Sequence, residues 1–205
     1  ATSRATSRAT NRGVTSPHEP PTPAERRIFA NRTLNLRAIK AVGYDMDYTL
    51  VHYRIAEWER AAFEHLVRGL AEARLPTDGL VFDETFAIRG LVIYSQLGNV
   101  VKTNRFGFVK RAMHGTRLLP FEELRSTYAR TIVDLSDSRW EFLNTFFSIS
   151  EASAYCQLVD RLDAGAPFGG AMGYSDLYRL VRKTLDRAHM EGALKGEVMR
   201  DPARF

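Results

Sequence analysis

The chain has 205 residues, 44% hydrophobic and 26% charged, an ordinary composition for a soluble protein with one sizeable core or a core plus an appended element. Its 29 basic and 24 acidic residues give a net charge of +5, but Arg4, Arg8 and Arg12 all precede the first acid, Glu19. The body is therefore nearly neutral, which argues against nucleic acid as a partner while allowing a local field for a small anion.

Residues 1–31 begin as a repeated Ala-Thr-Ser-Arg followed by prolines, a composition too polar to bury a core, and are expected to form a disordered tail. Arg, Ser and Thr without acids before Glu19 also fit an organelle transit peptide, so organellar import stands beside a cytoplasmic location. Residues 32–54 are expected to start the folded part. Within them Ile39–Tyr44 reads as a short strand running into Asp45-Met46-Asp47-Tyr48-Thr49-Leu50.

Ile55, Trp58, Ala62, Leu66 and Leu70 recur at helical spacing between charged residues and predict an amphipathic helix over 55–74, closed by Pro76, Asp78 and Gly79. Leu91–Tyr94 and Asn99–Lys102 flank Gln96-Leu97-Gly98 as a hairpin, with 106–109 as a third strand. Helices are expected at 138–147, 151–163 and 175–190, the last preceded by a glycine-rich break. The lone Cys156 lies in an apolar run and reads as a buried thiol; it excludes an internal disulfide and favours a reducing, intracellular setting. No stretch is long and apolar enough for a membrane span, so no membrane partner is expected.

Asp45 and Asp47 carry the strongest chemical signal. At the carboxyl end of a strand in an open α/β sheet, an Asp lies where such folds bind ligands. One carboxylate can attack phosphorus while the other protonates the leaving alcohol and then activates water. Two neighbouring like charges call for a shared proton or a divalent cation such as Mg²⁺. A bare Asp-x-Asp is more often turn or cap residues at a strand end. Arg182, Asp186 and His189 share one helical face; on spacing alone the first two form a surface ion pair and the third is an ordinary polar histidine.

Val42–Leu50 resembles the first motif of the haloacid-dehalogenase-like phosphohydrolases, and more narrowly that of the cytosolic purine (IMP/GMP-specific) 5'-nucleotidases. The likeness extends over roughly residues 32–200, through Arg89–Val92, Gly98–Lys102, Ala112–Gly115 and Leu143–Phe147. It implies an α/β Rossmann-like core, represented here by its first strand region, with a large mixed α+β cap insertion over 55–200. It also implies Asp45 as nucleophile, Asp47 as acid/base, both at a Mg²⁺ site, and a purine nucleoside monophosphate as substrate.

The resemblance assigns Arg182, Asp186 and His189 to base or sugar recognition, Lys195 to a phosphate-proximal contact and Phe147 to stacking on the base, where packing in the core is the alternative. Asp186 accepting a purine N–H and Arg182 donating to a carbonyl would favour a 6-oxopurine. Ser148 stands where the purine enzyme has Asn, with a shorter reach. His114, in the matching His-Gly element, is assigned no chemical role. The family's later Thr/Ser, Lys and acidic-pair motifs do not follow residue 200, so an N-terminal fragment is expected, inefficient alone; the full-length relatives are typically multimers, which implies a homo-oligomer. A phosphatase of another phosphomonoester, and an inactive nucleotide- or partner-binding fragment, remain the alternatives.

Overall fold

The computed structural model describes Pro23 and residues 35–205. The tail expected over 1–31 lies outside the described residues apart from Pro23. Residues up to Tyr44 form one unit and Asp45–Phe205 the other.

In the first unit a 3-10 turn, Leu36–Ala38, precedes Ile39–Tyr44. The strand expected there is not formed: the segment carries no ladder, and Ile39, Val42 and Tyr44 are exposed. A strand is stabilised by neighbours that take its backbone N–H and C=O groups. Among the described residues none pairs with this one.

The second unit begins with the aspartate loop and then α1 (Ile55–Glu72), whose Ala62, Leu66 and Leu70 are buried as their spacing predicts. The chain leaves α1 through Arg74 in the left-handed region (φ +62°), where the Leu75 N–H closes back on the Leu70 carbonyl at 3.0 Å.

Five antiparallel strands follow: β1 (Val92–Tyr94), β2 (Asn99–Thr103), β3 (Val109–His114), β4 (Arg117–Leu118) and β5 (Trp140–Phe142), in the spatial order β4-β3-β2-β1-β5. The β1–β2 hairpin pairs Val92 with Val101 and Tyr94 with Asn99, as the sequence predicts. The third strand starts later than expected, at Val109, because Phe106–Gly107 form the turn. The helix expected over 138–147 is absent. Trp140–Phe142 is an edge strand on β1, followed by a 3-10 turn, Phe146–Ser148. The reason is tertiary: β1 has a free side, and pairing there satisfies backbone groups that a short helix would satisfy internally.

Strand alternation divides the core in two. Ile93 and Val100 face the helices, whereas Val92, Val101, Ala112 and Trp140 face a smaller cluster closed by Tyr128 of α2 (Phe121–Tyr128). Tyr94 stacks on Trp140, ring centroids 4.0 Å apart. On the helical side α3 (Ile149–Asp163) is buried along most of its length, including Cys156, whose thiol burial pushes upward in pKa. It packs on α1 and on α4 (Tyr174–Met190), which buries Leu177, Val181 and Leu185. A final helix, α5 (Ala193–Arg200), buries Leu194.

His114, left without a role by the sequence, is a structural pin. Its Nδ1 pairs with Asn99 Oδ1 and its Nε2 with Asp163 Oδ2, each at 2.7 Å, and Asp163 also accepts the Tyr174 hydroxyl at 2.6 Å. The sheet is thereby tied to α3 and to the start of α4. Gly115 next to it has φ +54° and sits so close to Asp160 that a Cβ would lie 1.9 Å from its carboxylate. That carboxylate accepts both the backbone N–H and the hydroxyl of Thr116, so the glycine is required by conformation and by space.

Candidate functional site

Asp45 and Asp47 lie on an exposed loop closed by a tight turn. The Met46 carbonyl accepts the N–H groups of Leu50 and Val51 at 3.0 Å, and Tyr48 is held at φ +56°. Asp45 has no hydrogen bond or ion pair among the described residues. Asp47 accepts the Tyr53 hydroxyl at 2.8 Å. Burial, and then that bond and the carboxylate's charge, raise the Tyr53 pKa and keep its proton on oxygen. Tyr53 was not singled out in the sequence, where a tyrosine six positions after an aspartate carries no recognisable pattern.

The rings of Tyr48 and Tyr53 connect this loop to Phe147. Their centroids lie 6.2 and 5.8 Å from that of Phe147, which also meets Trp58 of α1 edge-on at 5.4 Å. Trp58 in turn lies 6.4 Å from His189. The Phe147 ring is half-buried between these aromatics and a groove of about 390 Å³. That groove is lined by Phe147 and Ser148 from the 3-10 turn, by Arg182, Asp186 and His189 from α4, and by Glu141, Asn144 and Glu151. Five of the residues named from sequence thus surround one cavity next to the aspartate loop. Lys195 does not: it is exposed on α5 and is not among the residues lining the groove.

Arg182 and Asp186 form the ion pair that their spacing predicts, at 3.4 Å. The stronger partner is Glu151, only 2% exposed, whose two oxygens accept from Arg182 Nη1 at 3.1 and 3.2 Å. The Tyr178 hydroxyl donates to the same carboxylate at 2.6 Å. Burial works against the Arg182 charge, but the Glu151 carboxylate more than offsets it and the guanidinium pKa rises. Glu151 thus aims Arg182 into the groove. Sequence reasoning missed it, and the available signal misleads: Ser148-Ile149-Ser150-Glu151 has the pattern of a capping box. Ser148, however, makes no cap bond, and Glu151 reaches across to α4 instead.

The start of α3 is fixed by a residue from another helix. Glu59 of α1, 1% exposed, accepts the Ser150 N–H through Oε2 at 2.6 Å. Its other oxygen has no hydrogen-bond partner among the described residues, and burial pushes the carboxyl pKa up to about 7. A larger open groove of about 1150 Å³ follows the outer side of α4 and shares Glu141, Arg182 and Asp186 with the smaller one. Much of its charge is already paired, Arg187 with Glu72 and Arg179 with Asp176, and it contains neither Asp45 nor Asp47.

Among the described residues no three His, Cys, Asp or Glu side chains converge as a metal cage, and no helix is long and apolar enough to cross a membrane.

Curated proteins similar to this chain include three 5'-nucleotidase domain-containing proteins. A 5'-nucleotidase domain-containing protein 1 of Bos taurus is 28% identical over 141 residues, covering 62% of this chain and 31% of the relative. The Homo sapiens protein of that name is 23% identical over 191 residues, covering 83% and 41%. A 5'-nucleotidase domain-containing protein of Dictyostelium discoideum is 26% identical over 204 residues, covering 93% and 33%. The chain spans less than half the length of each of these relatives. The mixed α+β fold agrees with this relationship. Residues 28–205 match the 5' nucleotidase family, a haloacid-dehalogenase-like group of hydrolases, and the chain belongs to that family.

Proposed function

We propose that this chain supplies the aspartate loop and the base-recognition cap, residues 55–200, of a magnesium-dependent 5'-nucleotidase acting on purine nucleoside monophosphates, IMP or GMP. One observation carries the reading. Phe147, Ser148, Arg182, Asp186 and His189, separated by up to 42 positions in sequence, line one groove whose aromatic floor continues to the loop of Asp45 and Asp47. A purine stacked on Phe147 would present its 6-oxo group to Arg182 and its N1–H to Asp186. Its phosphate would be directed toward the loop.

On this reading the Asp45 carboxylate attacks phosphorus and an aspartyl-phosphate forms as the bond to the 5'-oxygen breaks. Asp47, held by Tyr53, gives that oxygen its proton and then takes one from the water that hydrolyses the intermediate, releasing phosphate and restoring Asp45. The donor set suits Mg²⁺, which is commonly held by one or two carboxylates plus substrate phosphate rather than by a full protein cage. Asp45 and Asp47 would hold it, and when bound it offsets phosphoryl charge.

The test is Mg²⁺-dependent phosphate release from a panel of nucleoside monophosphates, with Asp45→Asn as control. Turnover of IMP or GMP that falls by at least about 10³-fold in the variant supports the nucleophile assignment, since loss of a covalent nucleophile removes the step itself. Equal turnover by both proteins would sink it. Binding of a 6-oxopurine nucleotide without turnover would favour the second reading, a nucleotide-binding module that relies on elements beyond these residues for chemistry.

A further inference from the structure

Glu141 lines the small groove and, like Glu151, is singled out neither by the sequence nor by the family relationship. It sits at the centre of β5, paired with Ile93 of β1. Alternation turns its neighbours Trp140 and Phe142 to the other face of the sheet, so Glu141 shares the helix-covered face with fully buried Ile93. A carboxylate on the inner face of a strand is costly unless something compensates it. Yet Glu141 has no hydrogen bond or ion pair among the described residues. Nearby Arg182 has its guanidinium already engaged by Glu151 and Asp186. Burial raises the Glu141 pKa, Arg182 lowers it, and Glu151 raises it further.

Among the charged side chains of the groove, Glu151 is already taken by Arg182 and Tyr178, which leaves one cationic donor, Arg182, and two carboxylate acceptors, Asp186 and Glu141, beside Asn144, Thr145, Ser148 and His189. A 6-oxopurine without a 2-substituent supplies a carbonyl and one N–H. A 2-amino-6-oxopurine supplies a carbonyl, the N1–H and an adjacent exocyclic amine, which is the complement of all three side chains. We propose that Glu141 is a specificity-determining residue that accepts the exocyclic 2-amino group, so that the groove prefers GMP to IMP. This rests on the purine-nucleotide reading above and deepens it. A 2-oxopurine nucleotide is disfavoured at the same position, where a second carbonyl would face the carboxylate. Inward-pointing charge on an edge strand also guards against edge-to-edge association, and the experiment separates the two roles.

Binding of GMP, IMP and XMP to the full chain would be measured by calorimetry at pH 7.5, for the unsubstituted protein, Glu141→Ala and the isosteric Glu141→Gln. A hydrogen bond to a charged acceptor predicts a GMP-over-IMP preference of about tenfold or more in the unsubstituted protein. The preference should collapse to within about twofold in Glu141→Ala, with IMP affinity nearly unchanged, and be intermediate in Glu141→Gln. Equal binding of GMP and IMP by the unsubstituted protein overturns the proposal. So does an equal fall for both in the variants. Self-association of the variants with an unchanged GMP-to-IMP ratio assigns Glu141 to edge protection instead. If Glu141→Ala fails to fold, the ratio in Glu141→Gln decides alone, and an undiminished ratio there overturns the assignment. Failure of the unsubstituted protein to bind any purine monophosphate sinks the underlying nucleotide reading as well, an outcome distinct from binding without discrimination.

Discussion

Glu59 illustrates how much one buried side chain can set. It caps α3 from α1, yet one of its oxygens is unpartnered among the described residues, and burial pushes its carboxyl pKa up to about 7 from an ordinary 4.5. A carboxyl pKa raised by folding means that the native state holds its proton more tightly than the unfolded chain does. The associated stability is complete below about 4.5 and is lost as pH rises through about 7. The shift corresponds to roughly 3 kcal/mol across that window. Gln at this position keeps an acceptor for the Ser150 N–H but cannot ionise. Glu59→Gln is thus expected to match the unsubstituted protein at pH 4 and to be about 2 kcal/mol more stable at pH 8. Denaturant melts at both pH values check this, and equal stability at pH 8 would refute it. Glu151, also buried, differs because Arg182 and Tyr178 occupy its oxygens.

At the level of elements, α1 ends in a way its sequence leaves strained. Arg74 adopts φ +62°, a conformation that costs a residue with a Cβ about 1–2 kcal/mol. Arg74→Gly is expected to stabilise by up to about 1 kcal/mol once the glycine's greater unfolded-state freedom is subtracted. That corresponds to a rise of about 2–4 °C in melting temperature, readable by calorimetry. No rise, or a fall, would show that the cap is held by contacts of the Arg side chain. The helices of this chain were legible because amphipathic spacing is a property of neighbours in sequence: 55–72, 149–163 and 174–190 fall within a few residues of the periodicities that predict them. The misreading of 138–147 has a matching cause. Trp140–Phe142 becomes a strand because β1, more than 40 positions away, offers an unpaired edge, and no window around residue 140 contains that information.

In the second unit, the sheet separates two apolar clusters; Ile93 and Val100 pack on the helices, and polar pins add to that contact near α4. The largest pin runs from Tyr128 through Asn99 and His114 to Asp163 and Tyr174. His114→Ala leaves the Asn99 and Asp163 acceptors to find water or go unsatisfied, at an expected cost of about 1–3 kcal/mol. Hydrogen exchange should show the loosening concentrated in β2, β3 and the start of α4, with α1 protected. Uniform loss of protection would mean that the two clusters unfold as one and that the pin is not a local device.

The sequence by itself determined helices α1, α3 and α4 and the first hairpin, and it singled out the aspartate pair. All of these depend on spacing over at most a few turns or on a recognisable motif. Only the tertiary structure decided that Phe147 and Ser148 meet Arg182, Asp186 and His189, and that Lys195 stays apart. It also decided that Glu151 aims Arg182, that Tyr53 holds Asp47, and that Glu141 shares the helix-covered face of the sheet with Ile93. The segment before Asp45 shows the same dependence, since its apolar pattern reads as a strand but forms no ladder among the described residues. Pairing, burial and pKa belong to contacts between residues far apart in the chain. A strand exists only beside another strand, and a carboxylate acquires a role only when folding determines what surrounds it.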